Sequence, residues 1–173
     1  MIPMKKAVIA LSCLSIFLTG CSSLLNPSIQ NSLKEVRTSK FLKNEDKTKT
    51  IGGIDANSNG VRDDIEGYIN LKYGNNPEFV SVYMQYAKAL RRKLTLASDD
   101  REVYRRESHK VSRQMVCASK IDYELEPEKM YQDTMIIYAL SVNTKQRMAE
   151  SNRISSLVSG MAFTLPTVEH CKN

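Results

Sequence analysis

The chain has 173 residues, 42% of them hydrophobic and 25% charged, with a formal net charge of +6 and no tryptophan. That length fits one modest domain, large enough to bury a core of its own. The basic excess is mild, and the partners it favours are anionic lipid or polysaccharide surfaces rather than nucleic acid.

In chain order, the first element is a targeting segment. Lys5 and Lys6 precede an apolar run from Ala7 to Leu18, which ends in Leu18-Thr19-Gly20-Cys21. A basic start, a short apolar stretch and a small-residue cleavage site describe a secretory signal, and the run is too short to span a bilayer comfortably. The Leu-Thr-Gly-Cys ending resembles the lipobox of bacterial lipoproteins. That resemblance implies thioether lipidation of Cys21, cleavage before it and acylation of the new amino terminus, so residues 1–20 are expected to be a signal peptide. Several acyl chains on one residue anchor stably where one chain does not. The resemblance also implies that Ser22, in place of aspartate, directs the protein to the outer membrane of a cell that has one. Taking Lys5 and Lys6 from the 25 basic residues leaves 23 against 19 acidic ones, a net +4 for the mature chain. In an envelope compartment nucleic acid is not an expected partner; the membrane, reached through the lipid anchor, and an envelope protein are.

Residues 21–50 read as the lipidated cysteine and a polar tether, with Lys34, Arg37, Lys40, Lys43, Lys47 and Lys49 scattered through it. Ile29, Leu33 and Val36 are spaced for one side of a short helix, so part of this stretch is expected to order against the membrane or the domain. The domain itself is placed at residues 51–173, opening after Gly52-Gly53.

The next stretch, DANSNGVRDDIE, runs from Asp55 to Glu66. Asp55, Asn57 and Asn59 supply side-chain oxygens at places one, three and five, Gly60 permits a sharp turn, and Val61 offers its carbonyl. Asp63 stands at nine and Glu66 at twelve, completing a calcium-loop pattern. A hard cation takes six to eight oxygens, and a chain wound round it turns alternate side chains inward while a final glutamate closes the shell. The bland alternative is an Asn-Gly turn followed by an acidic helix start. Residues 55–66 resemble EF-hand-like calcium loops, and their second half is similar to the loops of thrombospondin type 3 repeats. Two departures stand out: Arg62 occupies the eighth place, where paired hands carry an aliphatic residue, and Gly52-Gly53 leaves little room for an entering helix. A single unpaired loop is expected. With three charged ligands its affinity falls at ~10⁻⁴ to 10⁻³ M, in the range of a structural extracellular ion.

Beyond the loop every periodic stretch is helical. Asp64 to Lys72 places Ile65, Tyr68 and Ile69 on one side and stops at Gly74. Asn76-Pro77 caps a helix striped by Phe79, Tyr83, Tyr86, Leu90 and Leu94. Asp99 with Glu102 reads as a capping box for a helix turning Val103, Tyr104, Val111 and Met115 inward. Pro127 starts another, with Met130, Ile136, Ile137 and Leu140. Thr144 caps the last, with Met148, Ile154, Leu157 and Val158, ended by Gly160. The fold class is therefore all-α, a small helical bundle preceded by a tether and a single calcium loop.

Cys13 leaves with the signal and Cys21 takes lipid, so Cys117 and Cys171 remain as a pair in an oxidising space. A disulfide between them is expected; two buried free thiols are the rival reading. No nucleophile motif or phosphate-cradling loop is present, and imidazole comes only from His109 and His170, so no enzyme activity is expected. Arg91, Arg92 and Lys93, with Arg105 and Arg106, read as a solvated helix face before a site for lipid headgroups or a polyanion. The function expected is a binding or scaffolding lipoprotein of the cell envelope with structural calcium; a self-protecting inhibitor or exclusion-type lipoprotein is the alternative. Oligomeric state has no signature in the sequence.

Overall fold

A computed structural model describes residues 27–122, 127–164, 166–167, 169 and 171; Cys21 and the signal segment lie outside the described residues. The described chain is all-α: α1 (Pro27–Thr38), α2 (Asp63–Tyr73), α3 (Pro77–Thr95), α4 (Arg101–Asp122), α5 (Pro127–Ser141) and α6 (Lys145–Leu157), with no strand among the described residues. None of these helices is long and apolar enough to cross a membrane.

The helix starts follow from local chemistry. Asn76 caps α3, its side-chain oxygen accepting from the amides of Glu78 and Phe79, with Pro77 at the first helical position. Thr144 caps α6 by accepting from the Arg147 amide. The capping box expected at α4 does not form. Asp100, not Asp99, accepts the Glu102 amide at 2.8 Å, while Glu102 turns to Arg105 at 2.7 Å and the exposed Asp99 pairs with Arg153 at 3.1 Å. Two adjacent aspartates compete for one cap, and the Arg153 guanidinium of α6 takes the other. At the far end of α6, helical bonding stops at Leu157, and Gly160 follows in the turn with φ of +75°, a conformation that favours glycine.

α3 is the central element, packed most extensively on α4 and also on α2, α5 and α6. Its stripe of Tyr83, Tyr86, Leu90 and Leu94 is buried, facing a core that includes Ile65, Tyr68 and Ile69 of α2 and Ile136, Ile137 and Leu140 of α5. Each fully buried side chain of this size contributes about 1.5–3 kcal/mol, which is why the sides of the helices facing the core, rather than helix propensity, hold the bundle together. Tyr73, Phe79 and Tyr83 form an aromatic cluster across the α2–α3 turn, with the Tyr73 and Tyr83 rings stacked at 4.8 Å. At the other end of the chain, Cys171 bridges to Cys117 of α4.

The helical body begins earlier than residue 51. Ile29, Leu33 and Val36 are buried, and α1 packs mainly on α5. The stretch after α1 is held by charge: Arg37 grips Glu45 through two bonds at 2.6 and 2.7 Å, and Asn143 donates to the same carboxylate at 2.9 Å. Residues 27–50, read from composition as tether, are thus part of the domain. Three apolar residues at helical spacing and two buried carboxylates are enough to fasten an otherwise polar segment.

Candidate metal centre

The loop from Asp55 to Glu66 is positioned by a backbone bond at its neck, where the Asp63 amide donates to the Ile54 carbonyl at 2.9 Å. Ser58 with φ of +56° and Gly60 with φ of +89° turn the chain back on itself. Val61 is buried and pins the underside, and α2 begins at Asp63 with Asp63, Asp64 and Glu66 in its first turn, where carboxylates complement the helix dipole.

Direct contacts link four of the residues expected as ligands, Asp55, Asn57, Asn59 and Glu66, while Asp63 faces the Ala56 amide instead. The Asp55 carboxylate accepts from the Asn59 and Gly60 amides, both at 3.1 Å. Asn57 accepts from the Asn59 amide at 3.1 Å, and Asn59 from the Val61 amide at 2.7 Å. One carboxylate oxygen of Glu66 accepts from the side-chain Nδ2 groups of Asn57 at 3.1 Å and of Asn59 at 2.9 Å. The closing residue of the pattern therefore faces the residues at places three and five across the loop. Asp63 accepts the Ala56 amide at 3.0 Å and also lines a groove of about 400 Å³ whose rim carries the exposed Ile54 and Leu71. Among the described residues, no group of three or more His, Cys, Asp or Glu side chains stands close enough to hold a metal ion. The loop's donor set is mixed, with carboxylates at Asp55, Asp63 and Glu66, amides at Asn57 and Asn59, and the Val61 carbonyl. All are hard oxygens, the kind that calcium takes.

Arg62, the departure at the eighth place, is the loop's link to the rest of the fold. Its guanidinium is buried, 3% exposed, and reaches Asp64 at 2.5 and 2.9 Å, the Leu140 carbonyl at 2.8 Å and Asn143 at 3.4 Å. Arg147, fully buried, lies in the same network. It donates to the carbonyls of Asp46, Thr48 and Thr50 and to Asn143, and its charge pairs with Asp46 at 3.3 Å. Asp46 completes the arrangement by accepting the Thr48 and Ile54 amides, both at 2.7 Å. Burial pushes the Asp46 carboxyl up, but the bonds from Thr48 and Ile54 and the Arg147 charge outweigh it and hold the group well below the usual range. Gly53 is required here: its φ is +66°, and a Cβ would stand 2.1 Å from the Arg62 side chain. Sequence reasoning missed this network. The only local signal was an arginine where an aliphatic residue was expected.

The basic trio also resolves differently from a single surface patch. Arg91 turns to the loop, donating to the Gly52 carbonyl at 2.9 Å and pairing with Asp55 at 3.2 Å. Arg92 pairs with Glu107 at 3.2 Å. Two of the three charges are thus met by acids of the same chain, and His109 stands half-buried on α4. No protein-family model, curated protein or solved structure matches the chain significantly.

Proposed function

We propose that this chain is a lipid-anchored protein of a bacterial cell envelope, with a structural calcium ion at residues 55–66, that acts by binding or scaffolding rather than by catalysis. The observation that carries the calcium reading is Glu66, whose carboxylate faces both Asn57 and Asn59 across a loop capped by Asp55. An ion there would be held by Asp55, Asn57, Asn59, the Val61 carbonyl, Asp63 and Glu66. Its chemistry would be structural, joining the loop to the first turn of α2 and, through Arg62, to the α5–α6 corner. The envelope reading rests on the basic start, the apolar run and the Leu-Thr-Gly-Cys ending at Cys21.

Two measurements test it. A cation that binds the folded loop and not the unfolded chain stabilises by RT ln(1 + [L]/Kd), about 2.7 kcal/mol at a hundredfold excess, so the melting temperature should rise by several degrees in calcium. Magnesium should do much less, because it demands a tighter octahedral shell. Glu66→Gln should flatten the calcium response, and equal melting of the parent in millimolar calcium and in chelator would refute the site. Cys21→Ser should abolish lipid labelling and move the protein out of the membrane fraction; retained labelling removes the lipoprotein reading. Partners crosslinked in intact envelopes then separate a scaffold from a guard against a secreted toxin.

A further inference from the structure

Cations are laid along the calcium loop from outside it. Lys88 and Arg91 stand three residues apart on α3, on the same side of the helix. The Lys88 stem lies over Gly60, where a Cβ would meet its Cε at 2.9 Å, and Arg91 pairs with Asp55 while also holding the Gly52 carbonyl. Asp55 is 6% exposed and Arg91 28%, so this pair is more shielded from solvent than an ordinary surface ion pair. One side chain therefore does two things at the first ligand: it fixes the chain that enters the loop and it places a permanent positive charge on the carboxylate that a cation must use. Other charges near the loop are engaged elsewhere, Arg62 with Asp64 and Arg92 with Glu107.

Resting on the calcium reading of residues 55–66, we propose that Arg91, with Lys88 beside it, is an affinity-setting residue of the loop. The fixed charge opposes a divalent ion and keeps the site weak. Its geometry also couples the loop to α3, the central helix. Two positive charges on the ion and one on a guanidinium, a carboxylate's width apart, repel enough in water to change affinity about tenfold. Because the pair is not fully buried, salt should screen part of that effect, the screening distance falling from about 30 Å at 0.01 M to about 3 Å at 1 M.

The test is calcium titration of the full chain in detergent micelles by calorimetry, at low and high salt, for the parent, Arg91→Gln, Arg91→Lys and Lys88→Gln. Arg91→Gln should bind calcium about tenfold more tightly at low salt, with the gain shrinking at high salt. Lys88→Gln should show a smaller gain of the same sign, and Arg91→Lys, which keeps the charge but not the fork, should stay near the parent. Weaker or unchanged binding by Arg91→Gln would show that Arg91 is only a strut and overturn the proposal. So would an equal gain in Arg91→Lys, or a gain that salt does not alter. A parent that gives no calcium heat at either salt concentration defeats the loop reading itself, and this proposal with it. A parent that binds while Arg91→Gln does not defeats this proposal alone.

Discussion

Replacing Arg147 by methionine keeps much of the side chain's bulk and removes the guanidinium from the centre of the buried network. Arg147 has no exposed surface. Its removal takes one donor from each of the Asp46 carbonyl at 2.8 Å, the Thr50 carbonyl at 3.2 Å, the Asn143 side chain at 2.7 Å and the Thr48 hydroxyl at 3.2 Å, and it strips one cation from Asp46. The Asp46 carbonyl keeps the Asn143 side chain at 2.9 Å and Asn143 keeps Arg62 at 3.4 Å. The acceptors left to water are those of Thr48 and Thr50, which are near the surface and cost about 1 kcal/mol together. Breaking a buried ion pair from one side costs about 3–5 kcal/mol, and the apolar stem of methionine returns about 1 kcal/mol of burial. A net loss of about 4 kcal/mol is expected, a large part of the 5–15 kcal/mol that a domain ordinarily holds. Urea unfolding at 25 °C reads it out: with a slope of about 2 kcal/mol/M, the midpoint should fall by about 2 M. Arg147→Lys should lose at least half as much, because a single ammonium cannot reproduce the fork that spans residues 46–50 and Asn143. A methionine variant whose midpoint lies within about 0.5 M of the parent's would refute the view that this network ties residues 45–50 to the α5–α6 corner.

Non-reducing peptide mapping should recover Cys117 joined to Cys171, and a Cys117→Ser variant should lose about 4 kcal/mol on the chain-entropy account of a loop of 54 residues. Recovery of both cysteines freely alkylated from the native compartment would exclude the bridge. A pH dependence follows from the carboxylates after α1. Burial pushes the Glu45 carboxyl up, but hydrogen bonds from Arg37 and Asn143 outweigh it and bring it from 4.5 down to about 2, and Asp46 is lowered as well. A carboxyl lower in the folded than in the unfolded chain stabilises fully above its ordinary value, and that contribution disappears as pH falls through the folded value. Stability should therefore decline between about pH 4.5 and about pH 2, with a shallower decline in Glu45→Gln; a flat urea midpoint across that window would contradict the Arg37–Glu45–Asn143 arrangement.

Legibility in the sequence tracked how local the physics is. The stripes Tyr83, Tyr86, Leu90 and Leu94, and Ile136, Ile137 and Leu140, were readable because a buried helix side repeats every three to four residues whatever it packs against. The caps at Asn76 and Thr144 were readable because a cap acts within three residues. The approach of Asp55, Asn57, Asn59 and Glu66 to one another was equally local, since the side chains and amides that hold this loop closed all lie within a dozen residues. Tertiary structure decided the rest. Arg62 meets Asn143 across 81 residues, and Arg147 meets Asp46 across 101, and no periodicity connects such pairs. Residues 27–50 look like a tether because their composition is polar, yet three apolar contacts and the Glu45 and Asp46 carboxylates fasten them to helices far along the chain. The trio Arg91, Arg92 and Lys93 is one basic run in sequence. Successive residues of a helix point about 100° apart, so the fold sends Arg91 to the loop and Arg92 to Glu107. Where a charge goes depends on which acid the packing brings to its face, and only the assembled bundle specifies that.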